Sequence, residues 1–121
     1  MKMCFWNVGG IISKYNYKTN DPLFLKNIEK YDIVFLAETH AGPNLNFSKI
    51  GSFHDCHAIC RKQSKHNKRY FGGLAVMIKN KLKPYIKIRN NTNLDYQWVK
   101  LEKKSFWFLR GYLYLLCVLS A

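Results

Sequence analysis

The chain has 121 residues, with 20 Lys plus Arg against 7 Asp plus Glu and a formal net charge of +13. Hydrophobic residues make up 48% and aromatics 16%. That is the apolar content of one globular domain, and it excludes the low-hydrophobicity composition that keeps charged chains disordered.

The longest apolar run, Tyr112 to Leu119, is shorter than the roughly 20 residues a membrane-spanning helix needs. Met1 to Asn7 leads directly into Gly9-Gly10 and a polar stretch, which is not a secretory pattern. The expected location is therefore intracellular, the nucleus included. Cys4, Cys56, Cys60 and Cys117 are expected to be reduced thiols.

In chain order, Met3 to Val8 is aromatic and β-branched, and it reads as a strand ended by Gly9-Gly10. Asn20-Asp21-Pro22 is a helix start, a capping side chain followed by Pro in the first turn. Leu23, Phe24, Ile28 and Tyr31 recur at helical spacing and predict a short amphipathic helix from about Pro22 to Lys30. Asp32 to Ala37 reads as a strand buried on both faces, with Glu38-Thr39-His40 at its C-terminal end.

This strand, helix, strand order predicts two neighbouring parallel strands. Sites in such sheets gather beyond the C-terminal ends of the strands. Asn7 and Glu38 would then share one rim.

Phe53 to Cys60 reads as a further strand, and Gly72-Gly73 opens another over Leu74 to Ile78. Lys79 to Pro84 is a turn region, Tyr85 to Ile88 a short strand and Asn90 to Asn93 a loop. Tyr96 to Glu102 alternates as a half-buried strand does. Phe106 to Arg110 and Tyr112 to Leu119 are expected to be strands as well. The fold class is α+β, with little helix after residue 31.

The charge is concentrated. Ten of the basic residues and none of the acidic ones lie between Arg61 and Arg89. Arg61, Lys62, Lys65, Lys68 and Arg69 form the densest group. Such a field favours a polyanion. The alternative is a solvated loop with a basic tilt. A membrane-surface helix would need an apolar face, which Arg61 to Tyr70 lacks.

Two metal chemistries are open. His54, Cys56, His57 and Cys60, with His66 behind them, offer the thiolates and imidazoles that zinc prefers. Their spacing matches none of the familiar zinc pairs, and an alternating strand accounts for it equally well. Glu38 beside Asn7 offers a hard oxygen ligand for Mg²⁺, which takes one or two carboxylates plus water and phosphate. The alternative role for Glu38 is a helix cap or a solvated turn residue.

Trp6-Asn7-Val8-Gly9-Gly10, Tyr31-Asp32-Ile33-Val34-Phe35-Leu36-Ala37-Glu38-Thr39-His40 and Phe71-Gly72-Gly73-Leu74-Ala75-Val76-Met77-Ile78 occur in that order. Together they resemble the endonuclease/exonuclease/phosphatase superfamily, and within it the apurinic-like endonuclease domain of non-LTR retrotransposons. Trp98-Val99-Lys100-Leu101 also fits. The resemblance implies a four-layer α/β/β/α sandwich and Mg²⁺-dependent hydrolysis of a phosphodiester in DNA. It implies that Asn7 positions the phosphate and the metal site, that Glu38 binds the metal and that His40 supports them. Arg61, Lys62, Lys65, Lys68 and Arg69 would, by charge, lie along the DNA backbone.

The resemblance covers only the first half of such a domain. The family's later motifs are a strand-end tyrosine, an Asp-x-Asn pair and a terminal Asp-His pair. None is present, since Asp95 is the last aspartate and His66 the last histidine. Residues 1–121 are therefore expected to form a single truncated domain, with residues 112–121 as a degenerate end. Without the general base the chain is expected to be inactive by itself. A non-catalytic, basic nucleic-acid-binding module is the alternative function.

Overall fold

The computed structural model describes residues 1–11, 18–43, 54–89, 96–101 and 113–118. The strand expected over Phe106 to Arg110 and the loop expected over Asn90 to Asn93 lie outside the described residues.

The architecture is mixed α+β. Strands β1 (Met3–Asn7), β2 (Ile33–Ala37), β3 (His54–Ile59) and β4 (Leu74–Lys79) make a four-stranded sheet in the order β1-β2-β4-β3. Strands β5 (Ile86–Arg89), β6 (Tyr96–Leu101) and β7 (Leu113–Val118) make an antiparallel meander. A 3-10 helix over Asn80–Tyr85 joins the sheets, at the position expected to turn.

The single α-helix among the described residues, α1 (Pro22–Ile28), begins as its sequence predicts. Asp21 is the cap, its Oδ1 accepting from the Leu23 amide at 2.9 Å, and Pro22 occupies the first turn, where no donor is lost. Phe24 and Ile28 are buried, but Leu23, expected on the same face, is 70% exposed. Phe24 and Ile28, four residues apart, form the buried stripe of so short a helix, with Leu25 packed partly buried beside them.

β1 and β2 pair in parallel with Met3 opposite Ile33 and Asn7 opposite Ala37. β4 is antiparallel to both β2 and β3. β2 is central and buried on both faces, so its even and odd positions enter different cores. Val34 and Leu36 join Phe24, Ile28, Ala75 and Met77 beneath α1. Ile33 and Phe35 join Val76, Ile78, Ile86, Val99 and Leu101, where the two sheets meet. The β1 edge of this second face is open, with Met3 36% and Phe5 60% exposed.

At the far end of the sheet Asp32 ties three strands together. Its amide donates to Lys2 O, its carbonyl accepts from the Lys79 amide, and its Oδ2 accepts from the Lys2 amide at 2.7 Å. Lys79 and Lys81 approach its carboxylate at 3.7 and 3.5 Å. Burial pushes the Asp32 carboxyl up, but the Lys2 amide and the Lys81 and Lys79 charges outweigh it and hold the group below the ordinary range.

A depressed carboxyl contributes stability above its unfolded pKa, and the contribution is lost as pH falls through the folded value. Asp32→Asn is therefore expected to destabilise by about 1 kcal/mol at pH 7. The gap between the two urea curves should begin to narrow as the pH falls below about 3.9 and close only below the depressed folded value, where both states are protonated.

Candidate functional site

β1, β2 and β3 run in one direction and end where β4 begins. This end of the sheet carries Asn7, Glu38 and His40, so the shared rim expected from the strand order is present.

The loops at the rim are fastened backbone to backbone. The Val8 amide donates to Ala37 O at 3.0 Å, Gly10 to Glu38 O at 2.7 Å and Ile11 to Thr39 O at 2.9 Å. From the other side Thr39 donates to Gly73 O at 3.3 Å and His40 to Gly72 O at 2.7 Å. The segment after β2 is thus clamped between the loop after β1 and the Gly72-Gly73 turn. Lys18 adds a further tie by donating from Nζ to the Val8 carbonyl.

The clamp holds an unusual backbone. Glu38 has φ of 55° and His40 of 50°, the left-handed region that glycine and asparagine enter far more readily. Each such residue costs on the order of 1–3 kcal/mol and persists only where its surroundings enforce it. Here the positions carry a carboxylate and an imidazole. His40 Nε2 lies 2.7 Å from Glu38 Oε2, with the two side chains 35% and 28% exposed. The imidazole therefore engages one carboxylate oxygen and leaves Oε1 for a further ligand.

Asn7 is exposed, and its Oδ1 accepts from the Gly9 amide at 3.1 Å. This Asx turn fixes the side chain and leaves its NH₂ as a donor at the rim. One carboxylate, one amide and open solvent fit Mg²⁺, which binds through one or two carboxylates and keeps several waters.

Gly73 (φ +94°) and Gly72 (φ +67°) are required by the clamp. A Cβ on Gly73 would overlap Thr39 Oγ1, and one on Gly72 would come within 3.0 Å of Arg61 Nε.

The basic segment divides in two. Lys79 and Lys81 sit at the opposite end of β4 with Asp32, while the loop after β3 rises beside the rim. Ser64 N donates to Arg69 O at 2.7 Å and Gln63 Nε2 to Lys68 O at 2.6 Å, closing that loop. Lys62, Lys65, Lys68 and Arg69 are exposed on it. Arg61 differs from these four: its Nε is buried and its side chain packs over Gly72, so it roots the loop at the rim.

Three further contacts at the rim were not expected from the sequence. The Tyr70 ring packs over Gly42, the Phe71 ring meets His40 edge-on with centroids 6.1 Å apart, and Lys18 reaches Val8. Only the proximity of Tyr70-Phe71 to Gly72-Gly73 in sequence hints at the first two.

Alternation along β3 places its cysteine and histidine positions on both faces of the strand, so Cys56 and His57 point to opposite faces. Cys56 packs against the core beneath α1. Burial pushes the Cys4 and Cys60 thiols up. Cys4, Cys56 and Cys60 are thiols, not disulfides. Among the described residues no three His, Cys, Asp or Glu side chains gather as a metal cluster.

Also among the described residues, no helix is long and apolar enough to cross a membrane. No family model, curated protein or solved structure matches the chain.

Proposed function

We propose that the chain carries the first half of a Mg²⁺-dependent phosphodiesterase site acting on DNA. Its fold would be part of the four-layer sandwich of the endonuclease/exonuclease/phosphatase type. The supporting observation is the clamped rim, where a strained Glu38, its partner His40 and an oriented Asn7 stand together beside an exposed basic loop.

Glu38 Oε1 would hold the cation, and His40 would fix the carboxylate through Oε2 and keep it from turning away. The Asn7 NH₂ would donate to a phosphate oxygen. When bound, Mg²⁺ supplies charge stabilisation at the phosphoryl and leaving oxygens. Lys62, Lys65, Lys68 and Arg69 would neutralise flanking phosphates and release their counterions.

The Asp-x-Asn and terminal Asp-His pairs by which that family orients water do not occur in the sequence. A missing general base costs about 10²- to 10⁴-fold in rate. Nicking of supercoiled plasmid by the chain alone is therefore expected to stay at the level of Glu38→Ala.

The loop has its own test. Charge reversal of Lys62, Lys65, Lys68 and Arg69 is expected to weaken DNA binding at low salt. Every phosphate that the loop no longer neutralises should flatten the slope of log K against log [salt] by about 0.9. An unchanged slope would remove the loop from the interface.

A second reading is a purely electrostatic nucleic-acid module, favoured by the exposure of those four side chains. It predicts DNA retention that is indifferent both to EDTA and to Glu38→Ala, together with no cation binding by Glu38.

A further inference from the structure

Phe71 stands out from its surroundings. Gly72 to Ile78, which follow it, are all buried, yet Phe71 is 50% exposed. Its ring is held edge-on to His40 at an interplanar angle of 68°, and His40 in turn touches Glu38. The backbone after it is fixed, because Gly72 O and Gly73 O accept from His40 and Thr39. The closed loop that presents Lys62, Lys65, Lys68 and Arg69 runs into Phe71 through Tyr70. A phosphodiester chain held by both those cations and Glu38 would run beside the Phe71 ring, which touches His40 and follows the loop by one residue.

A phenyl ring offers a phosphate neither charge nor hydrogen bond. It offers a base an apolar face, and stacking of that kind tolerates any base. Within an intact duplex the base faces are already covered by their neighbours. The ring is of use only against a base that has left the stack. From this placement we infer that Phe71 is a stacking platform for an unpaired base beside the phosphate held at the rim. The preferred ligand is then DNA that is single-stranded or locally opened at that point. This rests on the DNA-binding reading above, and the test separates the two.

Binding of a fluorescein-labelled single strand and of its blunt duplex is measured at low salt in EDTA, so that no cation is needed. The wild-type chain is expected to prefer the single strand. Phe71→Ala should weaken single-strand binding about 5- to 100-fold, the range for one stacked base, and leave duplex binding unchanged. Phe71→Trp should restore it, whereas Phe71→Leu, which keeps apolar packing on His40 without a π-face, should not. A 2-aminopurine in the single strand should be quenched by the wild-type and Trp chains and not by the Ala and Leu chains.

Equal single-strand affinity and quenching in wild-type and Phe71→Ala, or equal weakening on both ligands, would overturn the stacking role while leaving DNA binding intact. Failure of the wild-type chain to retain either ligand would overturn the DNA reading and this inference with it.

Discussion

Gly73→Ala is expected to destabilise the protein by roughly 2–4 kcal/mol, combining left-handed strain with overpacking. Gly73 has φ of +94°, and a Cβ there would overlap Thr39 Oγ1. Thr39 is 1% exposed and is held from both sides, by Ile11 on its carbonyl and Gly73 on its amide. It has little room to retreat. Any movement would pull on Glu38 and His40, whose backbone conformation the same bonds enforce.

The double variant Gly73→Ala/Thr39→Ala separates the causes. It should relieve the overlap and keep the φ strain, so the two substitutions should couple in a double-mutant cycle. Urea unfolding of the four chains provides the comparison. Strict additivity would show that the two residues do not press on each other.

Phe35→Ala is expected to cost about 3–5 kcal/mol, the range for deleting a buried phenyl ring. That is a large share of the roughly 5–15 kcal/mol by which a domain is stable, and Tm should fall on the order of 10–20 °C. Phe35 is 1% exposed at the centre of β2 and lies where the two sheets meet. Its ring stacks on Phe5 with centroids 4.5 Å apart and planes within 5°.

The contrasting substitution is Phe5→Ala on the open edge. Because Phe5 is 60% exposed, the variant should give up only part of one aromatic pair, about 1 kcal/mol. A Phe35→Ala cost no greater than that of Phe5→Ala would mean that the sheets do not share a core at this position.

Much of the fold was legible because its signals are local. The β2 run needs no partner to be recognised as buried on both faces, and Asp21-Pro22 marks a helix start through the capping chemistry of two residues. The order of β1, α1 and β2 was enough to set Asn7 and Glu38 on one rim.

The parts that were not legible depend on contacts distant in sequence. Leu23 has the right spacing for the core but lies outside the stripe that Phe24 and Ile28 form. The basic run is continuous in sequence, yet β4 carries Lys79 and Lys81 to the end of the sheet opposite the rim. The left-handed backbone at Glu38 and His40 is enforced by carbonyls more than 30 residues away, at Gly72 and Gly73.

The most direct test of a cation site at the rim is calorimetric titration of Mg²⁺ into the wild-type chain, Glu38→Gln and His40→Ala. Far-UV circular dichroism and urea midpoints are recorded beside it. The side chains of Glu38 and His40 are partly exposed, so both variants should remain folded. A weak binding heat is expected in the wild type, a smaller one in His40→Ala and none in Glu38→Gln. The same heat in wild-type and Glu38→Gln chains, with both folded, would contradict the proposed site and leave the rim without a cation ligand.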